Sequence, residues 1–295
     1  MRGEKEPKTT MKHGIHYNLG MSEYHSWKLD KANLKAGPIS CSMLKDFAPN
    51  PYAWLKAPER KATAAMNTGS LFDLALTDPD AMSETLVVSP FDSMRTNKAK
   101  EWRDEQLANG KLIVDEADIE TATLAAQRVR EHEIAGSIMQ KAQCQVGVVG
   151  EVNGIPAKCL LDIEPSPGGD WEEHLFDYKT TSGGLDDESI RKTISNFRYH
   201  WQASFYRSLK NKVDDARHCE HFGFIFQDVN TLEVRVVVLD QDDLLLGNRC
   251  ITKTLCEFVK CSERGIHSRY TSSVSNIKVM PYQAMNEEEW LESEF

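Results

Sequence analysis

The stretch of sequence that decides the fold is E-V-N-G-I-P-A-K-C-L-L-D, residues 151–162, followed closely by F-D-Y-K, residues 176–179. Gly154 is typical of a turn between two extended segments, and the turn-rich P-S-P-G-G at residues 165–169 ends the second of them. Three consecutive strands are therefore predicted, over residues 145–152, 155–163 and 174–180.

The second and third of these strands each carry an aspartate near one end. Asp177 and Lys179 are two residues apart, so they point to the same face of their strand, and Asp162 closes the strand before. Taken alone, an Asp-x-Lys pair is more often a solvated surface ion pair. Leu175 and Phe176 make the strand apolar just before it, which favours a site at the end of a core strand. Carboxylates there can hold a hard divalent cation, and a lysine can position or activate a water.

The helix predicted after the third strand contains Y-H-W-Q-A-S-F-Y, residues 199–206. Gln202 and Tyr206 are four residues apart and so share one helix face. In this order, Asp162, Asp177-x-Lys179 and Gln202-x-x-x-Tyr206 resemble the PD-(D/E)XK nuclease superfamily and, within it, the RecB-like and lambda-exonuclease-like branch. The resemblance implies an α/β restriction-endonuclease-like core, a mixed central β-sheet flanked by helices.

An earlier segment, I-S-C-S-M-L-K at residues 39–45, is similar to the opening of the RecE-like (exonuclease VIII) phage and prophage exonucleases. In related ring-shaped exonucleases, a serine and a basic group near the start help to bind the terminal 5′ phosphate. The resemblance implies such a DNA-binding role for Ser40, Ser42 and Lys45. Ser42 is also predicted to be the N-cap of a short helix, which is the more ordinary role for a serine there.

A helix predicted to end at Asp78-Pro79 carries a small polar stripe formed by Gly69, Asp73 and Thr77. In RecE-like and RecB-like nucleases this helix carries Gly-x-x-x-His, whose histidine is a metal ligand. This chain has Asp73 at the matching position. A carboxylate can bind Mg²⁺, so an adapted ligand is favoured over a weakened site, and both interpretations stay open.

The resemblance implies a site with one or two Mg²⁺ (or Mn²⁺) ions. Its metal ligands would be Asp73, Asp162, Asp177, the main-chain carbonyl of Tyr178, and Glu151 for the second ion or its water. The other catalytic roles would fall to Lys179 for the attacking water, Gln202 for positioning and Tyr206 for support. Basic residues near the Gln202 face are predicted to contact DNA, with ordinary surface charge as a nearly equal alternative: Arg191, Lys192 and Arg198.

The resemblance also implies a function: a magnesium-dependent exodeoxyribonuclease that hydrolyses linear double-stranded DNA from 5′ to 3′ and leaves 3′ overhangs for phage-type DNA recombination. It further implies a ring-like homo-oligomer, a trimer or tetramer, and a single-strand annealing recombinase as partner, in the cytoplasm of a bacterial host. Three alternatives remain: a structure-specific endonuclease of the same fold, a catalytically weak or inactive DNA-end-binding or scaffold relative, and a metalloenzyme unrelated to nucleic acids. The shortage of histidine ligands argues against the last.

Composition narrows these alternatives. The chain has 295 residues and a formal net charge of −10, which argues against DNA binding through bulk charge but leaves room for a local basic channel. Its seven cysteines include no Cys-x-x-Cys pair, which favours reduced cytoplasmic thiols, and no iron–sulfur cluster is expected. No apolar run reaches the roughly 18 residues of a membrane span. The predicted organisation is a flexible arm (1–18), a nuclease domain (19–265) and an acidic tail (266–295).

Overall fold

The computed structural model of the protein describes residues 12–17, 19, 21–58, 63–91, 93–268, 274 and 276–293. Its strands, in chain order, are β1 (Gly14–His16), β2 (Leu86–Val88), β3 (Leu112–Val114), β4 (Gln143–Val152), β5 (Ile155–Glu164), β6 (His174–Thr181), β7 (His221–Asp228) and β8 (Val234–Val238). Its helices are α1 (Met21–Ser26), α2 (Cys41–Phe47), α3 (Pro51–Lys56), α4 (Ala64–Thr77), α5 (Met82–Thr85), α6 (Asn97–Ala108), α7 (Glu116–Glu131), α8 (Glu133–Met139), α9 (Asp187–Asn196), α10 (Tyr199–Val213), α11 (Gln241–Arg264) and α12 (Pro281–Glu292). A 3₁₀ turn, Pro79–Ala81, lies between α4 and α5.

Six strands form the central sheet, in the order β1-β4-β5-β6-β7-β8, while β2 and β3 pair separately. Strands β6 and β7 run parallel, and the other neighbours in the central sheet are antiparallel. The predicted turn is present: Val152 pairs with Ile155, and both residues between them, Asn153 and Gly154, have positive φ (53° and 75°). This conformation matches the twist of a two-residue β-hairpin. The predicted mixed sheet is confirmed.

Both faces of the central sheet are covered by helices. Alternate residues of β7 point to opposite faces, so that Phe222, Phe224 and Phe226 join the core formed with α2, α10 and α11, while Ile225 joins the core formed with α4, α7 and α8. The apolar residues of β7 therefore serve two cores at once, as is typical of a strand buried between two helical layers. The predicted α/β fold with flanking helices is confirmed.

Strands β5 and β6 separate at the point where their aspartates lie. Ile163 and Phe176 are the one Cα pair recorded between these strands in the described residues. The next antiparallel pair would join Asp162 to Asp177. Instead, the main-chain N–H of Tyr178 donates a hydrogen bond to Oδ2 of Asp162 (3.1 Å). A side-chain carboxylate thus takes the place of a main-chain acceptor, and the sheet opens beside both aspartates.

The helices α10 and α11 approach closely at Gly247. A Cβ atom there would lie 2.3 Å from the carbonyl oxygen of His200 and 2.4 Å from Oγ of Ser204, which donates to the Leu244 carbonyl (2.7 Å). We expect Gly247→Ala to lower the free energy of unfolding by about 1–3 kcal/mol, because the backbone atom in its way cannot move without separating the helices. Urea denaturation measures this change. Gly169→Ala, where the nearest atom is 3.6 Å away, is the control that should stay near wild type.

Three features differ from the sequence prediction. The predicted flexible arm overlaps β1, an edge strand paired with β4, while residues 1–11 and 18 of that arm lie outside the described residues. The N-cap of α2 is Ser40 rather than Ser42, because Ser40 has extended backbone angles and its Oγ accepts from the N–H of Met43 (3.3 Å). The predicted tail contains a helix, α12.

No helix in the described ranges is long and apolar enough to cross a membrane.

Candidate active site

At the opening between β5 and β6, the buried carboxylate of Asp177 contacts two polar side chains. Asp177 is only 1% exposed. Its Oδ2 forms an ion pair with Nζ of Lys179, and its Oδ1 accepts a hydrogen bond from Nε2 of Gln202 (2.5 Å). The spacing of two residues on β6 does place the carboxylate and the ammonium on one face, and α10 brings the amide against them.

A second lysine approaches the same cluster from α2. Nζ of Lys45 lies 3.5 Å from Oε1 of Gln202 and 5.3 Å from the ring centre of Tyr199, and Nζ of Lys179 lies 5.2 Å from that ring centre. Arg198 begins α10 in the left-handed conformation (φ 51°) and donates from Nη1 to the carbonyl oxygen of Lys45 (2.9 Å). Arg198 therefore holds α2 against the start of α10, which places Lys45 beside Gln202.

Asp73, on α4, reaches the cluster from the other side of the sheet. Its Oδ2 accepts from Nε2 of Gln145 (3.2 Å), while its Oδ1 is buried with no hydrogen-bond partner among the described residues. Gly69, one turn earlier, would place a Cβ 3.2 Å from Oγ1 of Thr180 on β6. A small residue at position 69 thus lets α4 lie close to β6.

The electrostatics of the cluster are those of several carboxylates in one buried space. Burial is the main cause that raises the pKa of Asp73 to about 7; the charge of Lys179 lowers it, the charge of Asp177 raises it, and the hydrogen bond from Gln145 lowers it. Burial, followed by the charges of Asp177 and Asp73, raises the pKa of Asp162 well above its ordinary value. Burial alone would lower the pKa of Lys179, but Asp177 and Asp162 raise it above the usual lysine range. Three carboxylates therefore compete for one ammonium.

This donor set fits a divalent metal ion. Asp73, Asp162 and Asp177 supply hard oxygen atoms, which Mg²⁺ and Mn²⁺ prefer. The cluster also has an unsatisfied buried acceptor, Oδ1 of Asp73, and buried acceptors are normally paired with a donor or a cation. The single positive charge of Lys179 does not balance three carboxylates, so a divalent cation would complete the charge of the site.

Glu151 is not brought to this cluster. It lies opposite Pro156 beside the hairpin turn and is exposed, roughly 20 Å along β4 from Gln145 at about 3.3 Å per residue. The strand register therefore contradicts the predicted role of Glu151 as a metal ligand or catalytic residue. The residue of β4 that does approach Asp73 is Gln145, which the sequence analysis missed. Counting outward from the turn, where Val152 pairs with Ile155, would have placed position 145 opposite Asp162.

The two tyrosines with predicted roles have different environments. Tyr206 lies one helical turn beyond Gln202 and packs edge-on against Phe222 (6.3 Å between ring centres). Burial raises its pKa well above the usual tyrosine value. The hydroxyl of Tyr178 donates to Oε1 of Gln227, away from Asp177, while its main chain is tied to Asp162. Tyr206 supports the helix that carries Gln202, and Tyr178 supports the strand.

The predicted DNA-binding residues fall into two groups. On α9, Arg191 and Lys192 are exposed and paired with Asp187 (3.5 Å) and Glu188 (2.6 Å) of the same helix, and they make no contact recorded with the cluster in the described residues. The guanidinium of Arg198 lies 4.9 Å from the ring centre of Trp201. By contrast, Ser40 and Ser42, at the start of α2, line a cleft together with Asp46 and four basic side chains, whereas Lys45 faces Gln202. The lining includes Ser40, Ser42, His25, Lys28, Lys31 and Lys158.

Another group of ligating side chains lies at the beginning of β6 and β7. Ligand atoms of Glu173, Glu220 and His221 are within 4.8 Å of one another. Both glutamates are exposed to solvent, which stabilises their charges without a metal. This group lacks the burial that characterises Asp73, Asp162 and Asp177.

The open sheet and its buried Asp-x-Lys cluster define a class, the PD-(D/E)XK nuclease superfamily. The chain belongs to the family described as a PDDEXK-like domain of unknown function (DUF3799), whose sequence profile matches residues 40–268. The predicted superfamily is confirmed, while the RecE-like branch stays a prediction. Among curated proteins, none matches the sequence.

Two solved structures are similar to this chain, and the first of them supports the fold. The structure of a candidate exonuclease from Eubacterium rectale is 16% identical, with a TM-score of 0.57, and the similarity covers 92% of this chain and 98% of that one. A phage-related exonuclease from Haemophilus somnus 129PT is 13% identical over 76% of this chain and 95% of its own, with a TM-score of 0.33.

Proposed function

We propose that the protein is a divalent-metal-dependent exodeoxyribonuclease that degrades linear double-stranded DNA. The observation that carries this proposal is the buried ion pair of Asp177 with Lys179, beside Asp162, in an open PD-(D/E)XK sheet, with the charge of Asp73 near enough to raise the pKa of Asp162. A Mg²⁺ or Mn²⁺ ion held there by the three carboxylates and the Tyr178 carbonyl would polarise the scissile phosphate and lower the pKa of a bound water.

The other residues of the cluster have roles that follow from their contacts. The pKa of Lys179 is raised above the usual range by Asp177 and Asp162, so its side chain is an ammonium at neutral pH. It can donate to the attacking water and offset the charge that builds up on the phosphate. Gln202 donates to Asp177 and lies within reach of Lys45, so it fixes the direction of the carboxylate. Lys45 supplies a second positive charge for the scissile phosphate.

The cleft beside α2 is the proposed path for DNA. The charges of Lys158 and Lys28 add to burial in lowering the pKa of His25, and burial with the charge of Lys28 lowers the pKa of Lys158 to about 8. The contributions of Lys28 and Lys158 to these shifts come from cations that lie close together, and such a group of cations in a chain of net charge −10 suits phosphate binding. Arg191 and Lys192 are less suitable, because carboxylates of their own helix already neutralise them.

The finer parts of the proposal rest on the resemblance to RecE-like enzymes. They are the 5′ to 3′ direction, the 3′ overhang, the ring-like trimer or tetramer, the single-strand annealing partner and a role in phage recombination. The likeness to a phage-related exonuclease is too distant to add to them. They are properties to be tested after cleavage itself.

The decisive experiment compares a linear duplex bearing labelled 5′-phosphorylated ends with a covalently closed circle of the same sequence, in Mg²⁺, Mn²⁺ or EDTA. Digestion of the linear DNA alone, abolished by EDTA and by Asp177→Asn, is the expected result. Glu151→Gln is the control, since a carboxylate beside the hairpin turn should not matter. Cleavage of the circle would favour the endonuclease alternative. End binding without cleavage in either metal would favour the inactive scaffold.

Removing one positive charge from the cleft beside α2 tests whether DNA follows this cleft. We expect Lys28→Ala to weaken duplex binding and to reduce the slope of log K against log salt by about one, because one phosphate contact is lost. Fluorescence anisotropy at several salt concentrations, in Ca²⁺ to prevent cleavage, measures both quantities. Lys192→Ala removes the same charge from α9 and should leave the slope unchanged. Equal effects of the two substitutions would argue against the cleft as the DNA path.

A further inference from the structure

Gln145 is an unusual residue for its place in the fold. It lies in β4, whose next residues, Val146, Gly147 and Val148, are buried, and it is itself only 8% exposed. Its backbone is in the left-handed region (φ 53°), which costs energy for a residue that has a Cβ atom. Neither a buried amide nor this backbone conformation is needed to build the strand, so both need another explanation.

The amide nitrogen of Gln145 has hydrogen-bond partners, whereas its amide oxygen has none among the described residues. Nε2 donates to Oδ2 of Asp73 (3.2 Å) and to Oγ1 of Thr77 (3.0 Å), and Thr77 in turn donates to the main-chain oxygen of Asp73 (2.8 Å). Both amide hydrogens are therefore engaged in holding Asp73. Oε1 of Gln145 is buried and has no hydrogen-bond partner among the described residues.

Two neighbouring side chains thus present buried acceptors of the same kind. Among the described residues, Oδ1 of Asp73 and Oε1 of Gln145 both lack a donor, and the hydrogen bond from Nε2 of Gln145 to Oδ2 of Asp73 joins the two groups that carry them. Once Asp73 is ionised, both atoms are acceptors and cannot satisfy one another. Only a donor or a cation between them can do so, and an amide oxygen is an ordinary ligand of hard divalent cations.

We propose that Gln145 belongs to the metal site: Oε1 supplies an oxygen ligand beside Oδ1 of Asp73, while Nε2 fixes the direction of the Asp73 carboxylate. This inference rests on the proposed function and adds a neutral ligand from β4 to the carboxylates of α4, β5 and β6. The neighbours of Gln145, Cys144 and Val146, pair with Ile163 and Leu161, the neighbours of Asp162, so the added ligand would come from the part of β4 that lies beside Asp162.

Metal binding to the full chain without DNA tests the inference. Titration with Mn²⁺, followed by the electron paramagnetic resonance signal of the free ion, gives the affinity directly. We expect Gln145→Leu to weaken binding about 10–100-fold, the range seen when a group that orients or assists a metal ligand is lost. Gln145→Glu keeps an oxygen at this position but loses the amide donor to Asp73, so it should bind Mn²⁺ more tightly than Gln145→Leu.

Thr77→Val is the matched control, because it removes a hydrogen bond of Gln145 but leaves Oε1 in place. The Mn²⁺ affinity of this variant should stay within about twofold of wild type, a difference in binding free energy of about 0.4 kcal/mol. If Gln145→Leu does not fold, Gln145→Asn, which withdraws the oxygen by one methylene, takes its place. Unchanged affinity in the Leu or Asn variant, or an equal loss in Gln145→Glu, would overturn the ligand role while leaving the proposed function intact. Failure of the wild type to bind Mn²⁺ would instead count against the proposed function.

Discussion

Lys179→Ala is expected to slow DNA cleavage at saturating Mg²⁺ by roughly 10²–10³-fold, the cost of losing one preorganised charge that stabilises a transition state. The reason lies in the surroundings of the ammonium. Nζ of Lys179 contacts Oδ2 of Asp177 in a buried space, and alanine leaves nothing there to orient the water or balance the phosphate.

The metal affinity of the same variant should not fall. Lys179 and a divalent cation compete for the charge of Asp177, so removal of the lysine leaves the carboxylates at least as available as before. In EDTA, however, the variant should be less stable than wild type by about 3–5 kcal/mol, because a buried carboxylate has lost its partner.

Single-turnover cleavage, with metal affinity measured on the same preparations, checks this prediction. Lys179→Arg retains the charge but not the shape of the ammonium, and it should recover only part of the rate. A cleavage rate for Lys179→Ala within a few-fold of wild type would remove the lysine from the mechanism. A rate lost together with metal affinity would instead assign it to the architecture of the site.

Asp73→Asn should make the metal-free protein more stable at pH 8 and abolish most of its stabilisation by Mg²⁺. Burial and the charge of Asp177 raise the pKa of Asp73 to about 7 in the folded state, against about 3.9 in an unfolded chain. The folded state therefore binds a proton that the unfolded state does not, between about pH 4 and pH 7. Stability from this group is fully present below pH 4 and is lost as the pH rises through 7.

Asparagine cannot ionise, so the variant escapes this loss. At pH 8 in EDTA, we expect the free energy of unfolding of Asp73→Asn to exceed that of wild type by about 2 kcal/mol. A pKa difference of about three units sets an upper limit of about 4 kcal/mol. Asp162, whose pKa is also raised, should leave the variant with a weaker pH dependence of the same sign. Wild type should recover stability on adding Mg²⁺ in proportion to RT ln(1 + [Mg²⁺]/Kd), and the variant should gain much less.

Thermal denaturation from pH 5 to pH 8, with EDTA or Mg²⁺, measures both effects. Asp186→Asn is a useful comparison, because this exposed carboxylate at the start of α9 has a lowered pKa owing to hydrogen bonds from Ser189. Asp186→Asn should lower the stability at pH 8, whereas Asp73→Asn should raise it. Equal pH dependence of Asp73→Asn and wild type would mean that Asp73 does not share the charge of the site.

Much of the site could be read from local patterns. The turn at Asn153–Gly154, the apolar run before Asp177 and the spacing of two residues to Lys179 all depend on neighbours in sequence, and the structure reproduces each of them. The four-residue spacing to Tyr206 placed it on the Gln202 face of α10. The pairing of Arg191 and Lys192 with carboxylates four residues earlier was open to the same reasoning, since i,i+4 partners meet on any helix.

Other parts depended on distant contacts. Ser40, not Ser42, caps α2, because the chain is still extended at Ser40, where Ile39 pairs with residues of β5. Glu151 seemed suitable by type and proximity in sequence, yet antiparallel pairing carries it to the far end of the hairpin from Asp162. Gln145 was overlooked because a neutral amide in an apolar strand has no catalytic signature by itself.

By itself, the sequence determined the order of strands around the hairpin, the Asp-x-Lys pair and the helix face that carries Gln202, because periods of two and 3.6 residues follow from local backbone geometry. Only the tertiary structure decided which further groups join them. Asp73 arrives on α4 from one face of the sheet, Lys45 on α2 from the other, and Gln145 across the hairpin. These meetings depend on helix packing and strand register over long separations, where side-chain volume and burial, rather than local spacing, select the partner.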